Sequence, residues 1–204
     1  MKVLVACEYS GTVRDAFIAR GHDAISCDLL PAESPGPHYQ GDVFDIINDG
    51  FDMMIAHPPC THLAVSGAMY FHKKKKEQAE ALRFVERLMG ADIAKIAVEN
   101  PISVISTHIR RPDQIVNPFD FGVPERKKTC LWLKGLPLLK STNTVTVTPK
   151  GSCIRKTGKK AGQVYNYYWR QGKSGHNRSK TFTCIAKAMA EQWGLPDQTK
   201  GEGL

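Results

Sequence analysis

The sequence predicts an α/β fold built on a doubly wound, mainly parallel sheet, and three observations predict it. Short apolar runs alternate with stretches of helical spacing through the first half of the chain. Each run ends in polar or turn-forming residues, as strands do where a ligand cleft opens beyond their carboxyl ends. The 204 residues, 42% hydrophobic and 24% charged, suit one buried core and exclude a collagen-like or disordered scaffold.

Val3 to Cys7 is the first strand, stopping at the turn-prone Tyr9-Ser10-Gly11. Val13, Ala16 and Phe17 then keep helical spacing up to an Arg20-Gly21 stop. Ala24 to Cys27 is a second strand ending at Asp28, and Pro31 to Gly41, rich in Pro and Gly, is a loop. Phe51 to Ala56 is a third strand, halted by Pro58-Pro59. Ala79, Leu82, Val85 and Leu88 place a helix over 73–89, and Ile93 to Val98 is a buried strand leading to Glu99-Asn100-Pro101. After Val123 the pattern changes. Thr129 to Leu133 reads as a strand and Thr181 to Trp193 as an amphipathic helix. Leu138 to Arg178 reads as an irregular or hairpin appendage, with Thr144 to Thr148 and Val164 to Trp169 as its strands. The expected organisation is a core over 1–137, a small basic segment over 138–178 and a C-terminal helix over 179–204 that returns to the core.

No apolar run approaches the ~18 residues of a membrane span. The opening residues read as a strand rather than a signal peptide, so a cytoplasmic location is expected. The six cysteines never form a C-x-x-C pair, and His57, His62 and His72 share no ligand spacing. Neither a disulfide frame nor a metal is expected.

The net charge of +8 is unevenly spread. Arg126 to Ala190 holds 15 Lys and Arg and no Asp or Glu, leaving the other 13 basic residues with all 20 acidic ones. A block of that kind is the footprint of a phosphate-rich partner, and Arg155 and Lys156 lie within it. Tyr165, Tyr167, Tyr168 and Trp169, interleaved with Arg170 and Lys173, either stack on unpaired bases or pack a hairpin against the core. Lys73 to Lys76, at a helix start, is either a solvated face or a phosphate contact.

The chemistry concentrates at His57-Pro58-Pro59-Cys60. Two prolines fix φ and remove two backbone donors, so the chain leaves its strand rigidly and presents the Cys60 thiol at the cleft mouth. Glu99 ends the neighbouring strand on the same edge. An isolated cysteine is more often core than nucleophile, but a thiol facing a carboxyl in a cleft suits covalent catalysis on a pyrimidine.

With these residues the chain resembles the C5-cytosine DNA methyltransferases. Pro58-Pro59-Cys60, Glu99-Asn100, Tyr9-Ser10-Gly11 and Gly122-Val123-Pro124-Glu125-Arg126 stand in that family's order. The resemblance implies a Rossmann-like, S-adenosylmethionine-dependent methyltransferase fold acting on DNA. It implies that Cys60 attacks C6 of a flipped cytosine, that Glu99 holds N3 and the exocyclic amine, and that Lys127 stands where an arginine would meet the carbonyl. Tyr9, Ser10, Gly11 and Pro58 would line the pocket of S-adenosyl-L-methionine, Asp28 would bind its ribose and Asp42 its adenine. Pro59, Asn100 and Arg126 would meet the substrate. The chain departs from the family at Thr12-Val13 in place of a second glycine, at Thr61 in place of a glutamine, and in the short span before the last helix. That brevity leaves little chain for sequence recognition, and the expected partner is DNA, single-stranded or read in a short context. Two other readings stay open: methylation of a free deoxycytidine nucleotide or an RNA cytosine, and a non-catalytic nucleic-acid-binding protein on the same fold.

Overall fold

The computed structural model describes residues 1–168 and 180–195. Seven strands form the main sheet: β1 (Lys2–Ala6), β2 (Asp23–Asp28), β3 (His38–Gln40), β4 (Met53–Ala56), β5 (Lys95–Pro101), β6 (Gln114–Val116) and β7 (Thr129–Lys134). Their order is β3-β2-β1-β4-β5-β7-β6. The pairs β1–β2, β2–β3, β1–β4 and β4–β5 are parallel, and β7 runs antiparallel to both β5 and β6. This is the doubly wound, mainly parallel, Rossmann-like sheet that the alternation predicts.

Both sheet faces are dry, which explains why the central strands read as unbroken apolar runs. Val3, Val5, Met53 and Ile55 face α1 (Thr12–Ile18) and the last helix, which supply Val13, Phe17, Ile185, Met189 and Trp193. Leu4, Ala6, Met54 and Ala56 face the other way, onto Val43 of α2 (Val43–Ile46), Val85 and Leu88 of α3 (Lys75–Met89), and Ile105 of α4 (Ile105–His108). The last helix, α5 (Thr183–Trp193), is joined to α1 by an Arg20–Glu191 ion pair.

Several expectations need correction. The loop over 31–41 contains β3, because the outer edge of β2 offers backbone partners that His38 to Gln40 satisfy. Thr144 to Thr148 is no strand. Its alternation is real, but it meets no sheet edge: Asn143 makes an isolated bridge to Phe121, and the Val145 N–H donates to the Phe119 carbonyl at 2.9 Å. The hairpin pairs β8 (Gly151–Ile154) with β9 (Val164–Tyr167) as a separate two-stranded sheet. Trp169, Arg170 and Lys173 lie outside the described residues. The helix expected from residue 73 begins at Lys75, preceded by a 3-10 segment over Val65–Lys73. No helix among the described residues is long and apolar enough to cross a membrane.

Candidate active site

Parallel strands bring their carboxyl ends to one edge, and a cavity of ≈ 430 Å³ opens there, lined among others by Cys7, Asp28, Asp42, Pro59, Glu77 and Phe84. Asp28 closes the β2 ladder, and its Oδ1 accepts the Leu30 N–H at 2.9 Å. Asp42 caps α2, its Oδ1 accepting the Phe44 N–H at 3.0 Å. Each carboxylate is thus oriented by a backbone bond while its residue lines the cavity. Burial, with help from Asp28, pushes the Cys7 thiol well up, and burial with Asp28 and Asp42 pushes Cys27 up to about 11, so both stay protonated.

The Tyr9-Ser10-Gly11 turn goes elsewhere. Gly11 is in the left-handed region (φ +73°) at the N-cap of α1, where an added Cβ would strike Ser34 Oγ and the Arg14 guanidinium. The buried Glu8 carboxylate accepts the Val13 N–H at 2.7 Å, the Arg14 N–H at 3.2 Å and the Ser10 hydroxyl at 3.1 Å. Ser10 lines a second cleft with Thr12, Arg20 and Lys187, between α1 and α5. Of the expected cofactor residues, Asp28 and Asp42 line the cavity; Tyr9, Ser10, Gly11 and Pro58 do not. Pro59, expected at the substrate, does line it.

Cys60 is the next residue along. Its half-buried thiol is pushed up by burial and then by the Glu99 charge, with its own backbone N–H and Lys127 pulling the other way. Glu99, Cys60 and Lys127 therefore share one electrostatic neighbourhood. Asn100, expected to touch substrate, is 1% exposed and braces the turn instead: its Nδ2 donates to the Pro58 carbonyl at 2.8 Å. Lys127 Nζ donates to the Lys180 carbonyl at 3.2 Å, which ties this stretch to the segment leading into α5.

Sequence reasoning gave His57 no role of its own in the site. The parallel register sets Ala56 beside Val98, which places His57 next to Glu99. His57 Nδ1 lies 3.0 Å from Glu99 Oε2, with side chains only 10% and 12% exposed. Thr181 Oγ stands 3.4 Å from the same nitrogen. Burial opposes the charge on His57, but the Glu99 bond and charge, with Glu8, outweigh it and Lys127, and its pKa rises. Burial likewise opposes the charge on Glu99, but His57 and Lys127 win and its pKa falls. The two form a buried ion pair, so Glu99 is a carboxylate with a fixed direction. Strand register held the only signal for this pair. Arg14 was also missed: fully buried, it donates to Ser26 Oγ, Ser34 Oγ and the Pro35 carbonyl, fastening the loop between β2 and β3 to α1.

Arg126 is exposed, with its guanidinium 4.4 Å from the Tyr168 ring centre. Arg155 lies 5.3 Å from that of Tyr165, and Lys156 is exposed beside it. Among the described residues no group of three or more His, Cys, Asp or Glu is placed to hold a metal ion.

No protein-family model matches this sequence, and no curated protein does. Among solved structures, one match is a candidate DNA modification methyltransferase encoded within an E. coli prophage. It is 15% identical with a TM-score of 0.44, over 87% of this chain and 63% of that one.

Proposed function

We propose that this chain is an S-adenosylmethionine-dependent methyltransferase acting on C5 of cytosine in DNA. One observation carries the reading: Pro59 lines the cavity holding Asp28 and Asp42, while Cys60, the next residue, stands in the field of Glu99 and Lys127. A donor site and a nucleophile thus share a wall. The acidic lining fits the cofactor, because carboxylates oriented at 28 and 42 suit a ribose diol, an adenine amine and a cationic sulfonium.

When bound, S-adenosylmethionine supplies an electrophilic methyl group. Asp28 and Asp42 would hold it at the strand ends, in the cavity that Pro59 also lines. Cys60, deprotonated as the base enters, adds its sulfur to C6 and leaves C5 electron-rich. Glu99, taking up the proton it shares with His57 at 3.0 Å, donates it to N3, which bears no hydrogen of its own, and accepts from the exocyclic amine, stabilising the charge that builds on the ring. Lys127 donates to the ring carbonyl as a point charge rather than a planar fork. Once C5 carries the methyl group, its proton passes to solvent water, the C6–S bond breaks to release the Cys60 thiolate, and the N3 proton returns to Glu99, restoring the ring. The basic segment over 138–178, with Arg126, Arg155 and Lys156, binds phosphates and sets no long recognition sequence.

One observation favours a second reading, a non-catalytic nucleic-acid-binding protein. Glu8 fills the N-terminus of α1, and the adjoining glycine turn does not line the cavity. An oligonucleotide carrying 5-fluorocytosine separates the two. With S-adenosylmethionine present, a covalent protein–DNA adduct is expected from the wild type and none from Cys60→Ser. No adduct, together with no saturable calorimetric titration by S-adenosylhomocysteine at millimolar concentration, hands the case to the second reading.

A further inference from the structure

We propose that one face of the β8–β9 hairpin is a stacking platform for an unpaired nucleic-acid strand, receiving the bases next to the one that enters the active site. It rests on the methyltransferase reading only for which bases these are; the platform itself rests on the hairpin.

The ladder pairs Tyr165 with Cys153 and Tyr167 with Gly151. Directly opposed residues share a face, so both rings lie on one face with only small side chains across from them. Each tyrosine is 43% exposed. Arg155 continues that face, its guanidinium 5.3 Å from the Tyr165 ring centre. The Tyr167 ring reaches across to Gly151, where an added Cβ would strike it, and residues two apart along a strand are about 6.8 Å apart, roughly twice the ~3.4 Å rise of a nucleic-acid strand, so the two positions keep step with every second base.

The charge around the rings selects the occupant. The turn joining the strands carries Arg155, Lys156, Lys159 and Lys160, and no carboxylate occurs between residues 126 and 190. A backbone of phosphates complements that charge. Unpaired bases complement the rings, because a duplex base is already stacked and offers no open π-face. The platform also leads to the reacting groups. Tyr168, the residue after β9, stacks with Arg126, and the next residue, Lys127, is the one whose charge acts on Cys60 and Glu99.

The test is fluorescence anisotropy with the full chain and three labelled probes of equal length: oligo(dT), oligo(U) and an A·T duplex. Wild type is expected to bind oligo(dT) more tightly than the duplex. The double variant Tyr165→Ala/Tyr167→Ala should lose roughly 25-fold on oligo(dT), about fivefold per ring, with an unchanged salt slope, since stacking displaces no counterions. Tyr165→Phe/Tyr167→Phe should bind as wild type does. A similar loss on oligo(U) supports the same platform with either sugar. Wild-type affinity in the alanine variant, or an equal loss on the duplex, overturns the proposal. The probes contain no cytosine, so these outcomes are independent of methyl transfer. A 5-fluorocytosine adduct formed by a protein indifferent to both tyrosines sinks the platform alone, and tyrosine-dependent oligo(dT) binding by a protein that forms no adduct sinks only the enzyme.

Discussion

Replacing His57 by alanine should expose how strongly the Glu99 carboxylate depends on its partner. The pair is joined at 3.0 Å with side chains 10% and 12% exposed, so removing the imidazole leaves a nearly buried carboxylate with Lys127 as the remaining cation that acts on it among the described residues. Breaking a buried pair costs about 3–5 kcal/mol, and the residual Lys127 charge puts the expected loss near the bottom of that range, about 3 kcal/mol. The pH dependence is more diagnostic than the size. His57 is raised above its ordinary 6.5, so its contribution is complete below that value and fades as pH climbs through the folded pKa. Glu99 is lowered from its ordinary 4.5, so its contribution is complete above that value and fades as pH drops through the folded pKa. The ion pair therefore contributes most between about pH 4.5 and about pH 6.5. Urea unfolding of wild type and His57→Ala across about pH 4 to pH 9 should show the widest stability gap near about pH 5.5 and a narrower gap on both sides. A gap that stays constant with pH, or one below about 0.5 kcal/mol, would refute the ion pair.

Asp28→Ala should weaken S-adenosylhomocysteine binding at least about tenfold, or about 1.4 kcal/mol, by calorimetry; unchanged affinity would remove Asp28 from the cofactor site. Glu99→Gln keeps the shape but loses the acid that protonates the ring nitrogen, and methyl transfer to DNA should slow by roughly two to four orders of magnitude. Neutralising Arg155, Lys156, Lys159 and Lys160 together should flatten the salt dependence of DNA binding by about 1 unit of slope for every phosphate that no longer meets a cation, while bisulfite sequencing shows the same cytosines modified. Gly11→Ala, at φ +73°, should destabilise the chain by about 2–4 kcal/mol by thermal melting, since its Cβ displaces Ser34 and the buried Arg14.

The central strands were legible because they are buried on both faces, and a run such as Met53 to Ala56 has no polar position to obscure it. β3 and β6 were not, because three residues carry no period; they exist only because β2 and β7 offer edges to pair with. Thr144 to Thr148 shows the converse, a strand-like run with no ladder to join. Within the site, Pro-Pro-Cys and Glu-Asn were readable because proline imposes its geometry locally. His57 was not, since its role comes from lying beside a residue 42 positions away. Asn100 was read as a substrate contact because an exposed and a buried amide look alike in sequence; only the bond to Pro58 shows it bracing the turn.

In a Rossmann-like fold the first helix N-terminus ordinarily receives the phosphates of a nucleotide cofactor. Here Glu8 already supplies the negative charge, and the cavity beside it is walled by Asp28, Asp42, Glu77 and Glu80. A pyrophosphate placed there would meet carboxylates instead of open N–H donors. The charge at this edge therefore opposes a pyrophosphate where other such sheets favour one. That lining suits the cofactor of the proposed function, a nucleoside that arrives without phosphate and carries a positive centre.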